Sequence, residues 1–190
     1  MPICSQKDSC SPLYLPRLLQ KFTTMRIFAN LKTASLHNMN SETGQLSICK
    51  PFETLTPYEL YDLLRLRSEV FVVEQTCVFL DLDNKDQYCH HLLLYKEQTL
   101  TATARLVPPG LYYPEMSIGR IVTSPAARGT GVGKQLVATA ITECYRLFGS
   151  GPIKIGAQLY AQKFYESFGF VQAGEVYDED GIDHIEMIKP

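Results

Sequence analysis

Apolar residues recur along this chain with two periods, and the switch between them predicts the order of its elements. Leu46 to Phe52 reads as a short strand. In Thr56-Pro57-Tyr58-Glu59, Thr56 can cap a helix, Pro57 suits its first turn, and Glu59 completes a capping box. The helix should run to about Val73, with Leu60, Leu63, Leu64, Val70 and Phe71 on one stripe. Residues 74–88 are polar and acidic without a period, so an irregular segment is expected. His90–Tyr95 and Thr101–Val107, separated by Lys96-Glu97-Gln98, read as a hairpin, and Met116–Thr123 as a third strand. Val132, Leu136, Val137, Ala140, Ile141, Cys144 and Leu147 repeat at helical spacing, with Gly149 expected as a left-handed cap. Ile153–Ala157 is a short apolar strand. Ala161, Phe164, Tyr165 and Phe168 mark a second helix on this side, closed by Gly169, and Val171–Tyr177 should pair with Ile182–Ile188 across Asp180-Gly181.

The resulting order, β, α, β-β-β, α, β, α, β-β, sets one strand–helix–strand crossover among antiparallel pairings. That is an α+β (mixed α/β) fold, a mixed central sheet with helices packed on it. The 190 residues suffice for one domain with a core. A formal charge of −2 gives no pointer to nucleic acid, and no apolar run approaches the roughly 20 residues that span a bilayer. Neither is expected as a partner. The charge is uneven: Lys7, Arg17, Lys21, Arg26 and Lys32 face only Asp8 at the N-terminal end. Residues 1–45 are therefore expected to stand apart from a domain at 46–190. They read as a transit segment, a disordered tail, or an over-long gene model with Met25 or Met39 as the start, the last two favoured. The six scattered cysteines form no CxxC pair and fit reduced thiols in a cytoplasmic protein.

The chemistry concentrates in Arg128-Gly129-Thr130-Gly131-Val132-Gly133, between a predicted strand and a predicted helix. The first turn of a helix has N–H groups without internal partners and carries partial positive charge, which suits a phosphate. A P-loop would need Gly at 128 and Ser or Thr at 135, where Arg and Gln stand. A dinucleotide fingerprint starting at Gly129 would need Gly at 134, which is Lys. What fits is Arg-x-x-Gly-x-Gly. A cation at this helix end costs roughly 0.3–1 kcal/mol unless an anion is near, so Arg128 points to phosphate. The glycines could also serve only to permit a tight turn.

With Ile121-Val122-Thr123-Ser124-Pro125 leading into that motif, and Ala161-x-x-Phe164-Tyr165-Glu166-Ser167-Phe168-Gly169-Phe170 following it, the chain resembles the GNAT superfamily of acyl-CoA-dependent acetyltransferases. Leu66 to Gln75, Asp81-Leu82-Asp83 and Glu175 to Ile185 narrow the resemblance to its ElaA-type branch, over about Leu46 to Pro190. The resemblance implies a GNAT-like acyl-CoA N-acyltransferase fold with helices on both faces of the sheet. It implies acetyl-CoA as co-substrate and an amine of a small molecule or peptide as acceptor. CoA would be held by Ile121, Val122, Thr123, Arg128, Gly129, Thr130, Gly131, Val132, Gly133, Lys134 and Gln158. The Ile121 N–H would face the thioester oxygen, and Tyr165 would be the acid that protonates the departing thiolate. For the base, Glu74, His91 or a chain of waters stand side by side. Asp81, Asp83 and Asp86 would draw in a cationic amine or form a solvated loop.

No metal is expected, since Cys77, Cys89, His90 and His91 match no common zinc spacing. Two other readings remain. One is a non-catalytic acyl-CoA sensor. The other resembles acyl-homoserine-lactone synthases, through Arg67-x-x-x-Phe71, Asp83-x-x-Asp86 and Arg105. It ranks lower because those enzymes lack the Arg-x-x-Gly-x-Gly motif that is intact here.

Overall fold

The capping box forms as its sequence predicts. The Thr56 hydroxyl accepts from the Glu59 N–H at 3.2 Å, and the Glu59 carboxylate accepts from the Thr56 N–H at 2.8 Å. Lys50 also bonds this carboxylate at 2.7 Å, tying the helix start to the preceding strand. The computed structural model describes residues 39–40 and 44–190. The expected extension at 1–45 lies outside the described residues apart from Met39, Asn40, Gly44 and Gln45.

Helix α1 (Pro57–Arg67) does not continue as an α-helix to Val73. At Ser68 it widens into a π-helical stretch, Ser68–Glu74, where the Gln75 N–H donates to the Val70 carbonyl at 3.1 Å. Such stretches are found mainly at functional sites, and this one delivers Val70, Phe71, Glu74 and Gln75 to the cleft described below. The stripe shifts accordingly. Leu63, Leu66 and Val70 are buried, as is Arg67, whereas Leu60, Leu64 and Phe71 pack at the margin.

The strands are β1 (Met39–Asn40), β2 (Gln45–Pro51), β3 (His90–Lys96), β4 (Thr99–Val107), β5 (Met116–Thr123), β6 (Ile153–Gln158), β7 (Val171–Glu179) and β8 (Ile182–Lys189). Among the described residues they form one sheet in the order β1-β2-β3-β4-β5-β6-β8-β7. All neighbours are antiparallel except β5 and β6, the pair joined through α2 (Val132–Phe148). Alternation along β3 splits the core. Leu92 and Leu94 face α2, whose Leu136, Val137, Ala140 and Cys144 are buried against them. Leu93 faces Leu63, Leu66 and Val70 from α1. Helices thus cover both faces. The short helix α3 (Gln162–Glu166) adds Tyr165 to the α2 side, with the chain turning at Gly169, φ +85°. Gly149 ends α2 at φ +86° and ψ −175°, an extended glycine conformation rather than the left-handed helical cap expected.

Two irregularities position the site. The parallel strands β5 and β6 pair only at Met116↔Ile153 and Ser117↔Lys154 and then part, because β6 follows β8 through Gln158↔His184. Past Ser117, the edge of β5 therefore has no strand beside it. The second is a bulge in β5. Arg105 pairs with Gly119 and Thr103 with Val122, so Arg120 and Ile121 together oppose Ala104. Arg120 sits there at φ +49°, a conformation a non-glycine residue holds only when its surroundings impose it.

Replacing the cap is a test of how α1 starts. Thr56→Ala should lower unfolding stability by about 1 kcal/mol, seen as a lower urea midpoint at unchanged slope.

Candidate active site

Where β5 and β6 part, a cleft of about 540 Å³ opens. One wall is β5 from Ser117 to Thr123; the other is Gly156, Ala157 and Gln158 of β6, with Tyr165 beyond. The π-helical end of α1 and the β7–β8 turn close the sides. The Cys77 thiol donates to the Asp180 carbonyl at 3.6 Å and links those two sides. Of the residues named from sequence, Glu74, Ile121, Val122, Thr123, Arg128, Gln158 and Tyr165 line this one space. Gly129 to Lys134 follow Arg128 directly, outside the lining itself.

The acidic segment is neither a solvated loop nor a free lure for an amine. Its carboxylates close a ring of alternating charge. Arg67 bonds Asp81 at 2.7 Å and Asp86 at 2.9 Å; Arg105 bonds Asp86 at 3.1 Å and Asp83 at 2.7 Å; Arg120 bonds Asp81 at 2.7 Å and meets Asp83 at 3.5 Å. Every member touches two opposite charges, and the ring as a whole is neutral. Arg67 and Arg105 are almost wholly buried, while Asp83 and Arg120, the latter on the cleft lining, are partly exposed. Tyr112 adds a hydroxyl hydrogen bond to Asp83, with the Lys85 ammonium over its ring. Arg67, Asp83, Asp86 and Arg105, the charged residues of the lactone-synthase pattern, are thereby accounted for as one another's partners.

The ring also explains an inverted stretch of chain. From Cys77 to Asp83 the backbone alternates, with Val78, Leu80 and Leu82 at 93%, 77% and 52% exposure and Asp81 at 5%. Apolar residues face out and the carboxylate faces in, because the buried arginines must be answered. The same contacts hold Arg120 in its strained bulge, next to Ile121 on the cleft wall.

At the other end, α2 begins without a side-chain cap. Its N-cap is Gly131 at φ +88°, and Gly129 lies at φ +77°, so both glycines are required by backbone conformation. Gly133 has ordinary φ, and a Cβ there would only touch Thr123 at 3.6 Å. The Thr130 hydroxyl donates back to the Ala127 carbonyl at 2.7 Å instead of capping the helix. Val132 is buried and Lys134 is exposed. Arg128 grips the Glu74 carboxylate through both terminal nitrogens, at 2.7 and 2.8 Å. An anion does sit beside this arginine, but the protein supplies it, so the location of Arg128 alone does not require a phosphate.

That pair bears on the base. Arg128 holds the Glu74 carboxyl below its usual range, making it a weaker proton acceptor. His91 is fully buried, its Nε2 donating to the Asp86 carbonyl at 3.0 Å and its ring against Phe52, and it does not line the cleft. Burial also pushes its imidazole pKa down. His90, its neighbour on the opposite face of β3, packs on Phe148. The histidine that does line the cleft is His184, beside Tyr177. Its position on the outer face of β8 could have been read from the alternation His184-Ile185-Glu186-Met187.

Tyr165 belongs both to the core and to the cleft. Its ring packs edge-on against Phe164 and Phe170 in the α2-side core, yet the residue also lines the cleft. Burial pushes its phenol pKa up, so it stays protonated and is a donor at neutral pH.

A family model described as an acetyltransferase (GNAT) domain matches residues 79–190. The protein ElaA of Escherichia coli K12 is 42% identical over 137 residues, 71% of this chain and 90% of that protein. Its crystal structure matches with a TM-score of 0.70 at 37% identity, over 77% of this chain and 99% of that one. An acyl-CoA N-acyltransferase from Pseudomonas aeruginosa matches with a TM-score of 0.73 at 41% identity, over 76% of this chain and 99% of that one.

The charge ring makes a pH-dependent prediction. Burial pushes the Asp86 carboxyl up, but Arg67 and Arg105 outweigh it and hold it below the ordinary range. Its stabilisation is therefore full above the unfolded carboxylate pKa, about 3.9, and fades as pH falls through the lower folded value. Asp86→Asn should cost about 3 kcal/mol at pH 7. In urea unfolding at a series of pH values, that gap should persist to about pH 4 and close only below it.

Proposed function

The chain belongs to the acetyltransferase (GNAT) family, and from that premise we propose that it transfers the acetyl group of acetyl-CoA directly to an amine of a small molecule or peptide. It is an acyltransferase with an acyl-CoA co-substrate; acetyl as the group and an amine as the acceptor are the proposed parts. The observation that carries the proposal is the parting of β5 from β6 in front of the uncapped N-terminus of α2, with Tyr165 on the wall between them.

The residues present fit a CoA thioester. Past Ser117 the β5 backbone has unpaired groups that an extended pantetheine arm can pair with, as a strand would. The first-turn N–H groups of α2, with those of Gly129 to Gly131, suit its pyrophosphate. Arg128 can serve the same phosphates by exchanging Glu74 for them, and Lys134 adds a cation on the first turn. Gln158, which bonds Gln75 at 3.4 Å, borders the arm from the β6 side.

Bound there, the thioester supplies an activated acyl carbon and a thiolate leaving group. The chain supplies the rest. The Ile121 N–H, turned by the bulge at Arg120, is suited to the oxygen on which negative charge develops. The Tyr165 phenol donates toward the departing sulfur. An alkylammonium acceptor costs about 4–5 kcal/mol to neutralise at pH 7, so a proton acceptor must also face the acceptor end of the cleft.

Incubation with acetyl-CoA and a panel of amines should release free thiol. CoA binding in the micromolar range without thiol release would instead favour an acyl-CoA sensor. Arg128→Ala combined with Gly131→Asp removes one cation and sets a carboxylate at the helix start. CoA affinity should fall about tenfold or more, and unchanged affinity in calorimetry would remove the phosphate site. Tyr165→Phe should reduce turnover by about 100-fold with the urea midpoint retained; full turnover would leave Tyr165 a core residue only.

A further inference from the structure

We infer that His184 is the general base that takes the proton from the acceptor ammonium, an assignment that rests on the amine-acetylating reading above. On β8, Ile185 and Met187 are buried in the α2-side core, so His184 points to the opposite face, where it lines the cleft. Its neighbours across the sheet are Gln158 on β6 and Tyr177 on β7, the latter with ring centroids 5.9 Å apart. The Tyr177 hydroxyl lies over Gly156, where an added Cβ would come within 3.1 Å of it. The imidazole therefore stands beside the β6 wall of the cleft, on the side that the β7–β8 turn closes.

The tautomer follows from one hydrogen bond. His184 Nδ1 is 2.8 Å from the Ile182 carbonyl oxygen. A carbonyl only accepts, so Nδ1 carries a hydrogen, and in the neutral ring Nε2 is left with its lone pair. That is the form a base needs. Glu74 is held by Arg128, Asp81 and Asp83 belong to the charge ring, and His91 lies outside the cleft. The carboxylates of Glu179 and Asp180 also line the cleft, at the β7–β8 turn, where Glu179 accepts from the Tyr177 hydroxyl at 3.4 Å. His184 differs from them in having a ring nitrogen whose lone pair is fixed by the bond at the other.

The step balances without a further reactant. Nε2 takes one proton from R–NH3+. The neutral amine forms a C–N bond to the acyl carbon, and the C–S bond breaks. The sulfur gains a proton from Tyr165, which recovers one from the new amide nitrogen. His184 then returns its proton to solvent, so the net products are the amide, CoA thiol and one proton.

His184→Asn separates a base from a structural group, because the asparagine amide can still donate to the Ile182 carbonyl. Thiol release would be measured for the full chain with acetyl-CoA and lysine, spermidine or a lysine-containing peptide, and with hydroxylamine, which is already neutral at pH 7. The variant should lose about 100-fold or more on the ammonium acceptors and less than about fivefold on hydroxylamine, the base step being bypassed. Nitrogen NMR of the chain without CoA should show His184 protonated at Nδ1 and bare at Nε2. Equal losses on both acceptor types, an undiminished rate, or the Nε2–H tautomer would each overturn the assignment. If the wild type acetylates no amine at all, the amine reading itself fails and the assignment with it. A wild type that acetylates lysine beside an equally active variant removes His184 alone.

Discussion

The ring Arg67–Asp81–Arg120–Asp83–Arg105–Asp86 is the contact set on which the working end of this molecule depends. It joins α1, β4, β5 and a segment with almost no regular secondary structure. A segment of that kind cannot hold its place by backbone pairing, so side chains do it. Buried guanidinium groups are costly unless every charge is answered, and here each is answered twice. Two features of the cleft follow. Residues 77–83 become a fixed wall, and Arg120 is pinned at a positive φ that bends β5 just before Ile121.

The sheet supplies the complementary feature, an opening. A parallel pair that kept its register would bury the backbone of β5 against β6. The antiparallel commitment of β6 to β8 instead draws it away after Ser117. The gap leads to the glycine turn before α2, where Gly131 in a left-handed conformation leaves the helix start bare. In the proposed reading, opening and helix start together give an extended, polar-ended co-substrate a place along its length. The β7–β8 hairpin, held to the far wall through Cys77 and Asp180, bounds the remaining end. The two ends of the cleft are thus built from different parts of the chain, the middle of the sheet and its last hairpin.

What was legible in the sequence followed period and spacing. The capping box at Thr56, the α2 stripe, the β3–β4 hairpin and the Asp180-Gly181 turn are local patterns, and the structure has them within a residue or two. The GNAT motifs placed Arg128 and Tyr165 at one cleft. What was not legible depended on distant partners. The acids at 81–86 read as a lure for a cationic amine or as a solvated loop, because nothing nearby in sequence reveals that Arg67, Arg105 and Arg120 converge on them. Val78, Leu80 and Leu82 would ordinarily mark the buried side of an extended segment, and here that side is outward. His91 was a candidate because it enters a strand after an acidic segment, but the register sends it into the interior beside Asp86. Glu74 reached the cleft as expected and met Arg128, a partner 54 positions away.

The closed form of the ring bears on how such a protein can change over generations. In an open chain of ion pairs the terminal member can be replaced at modest cost, and the rest then follow one at a time. A closed ring of alternating sign has no terminal member. Any single neutral replacement leaves an interior imbalance of one charge, so the first step away is penalised wherever it is taken. Replacements at the six positions should therefore be coupled in their effect on stability rather than additive. The outward-facing Val78, Leu80 and Leu82, on the same segment, take no part in it.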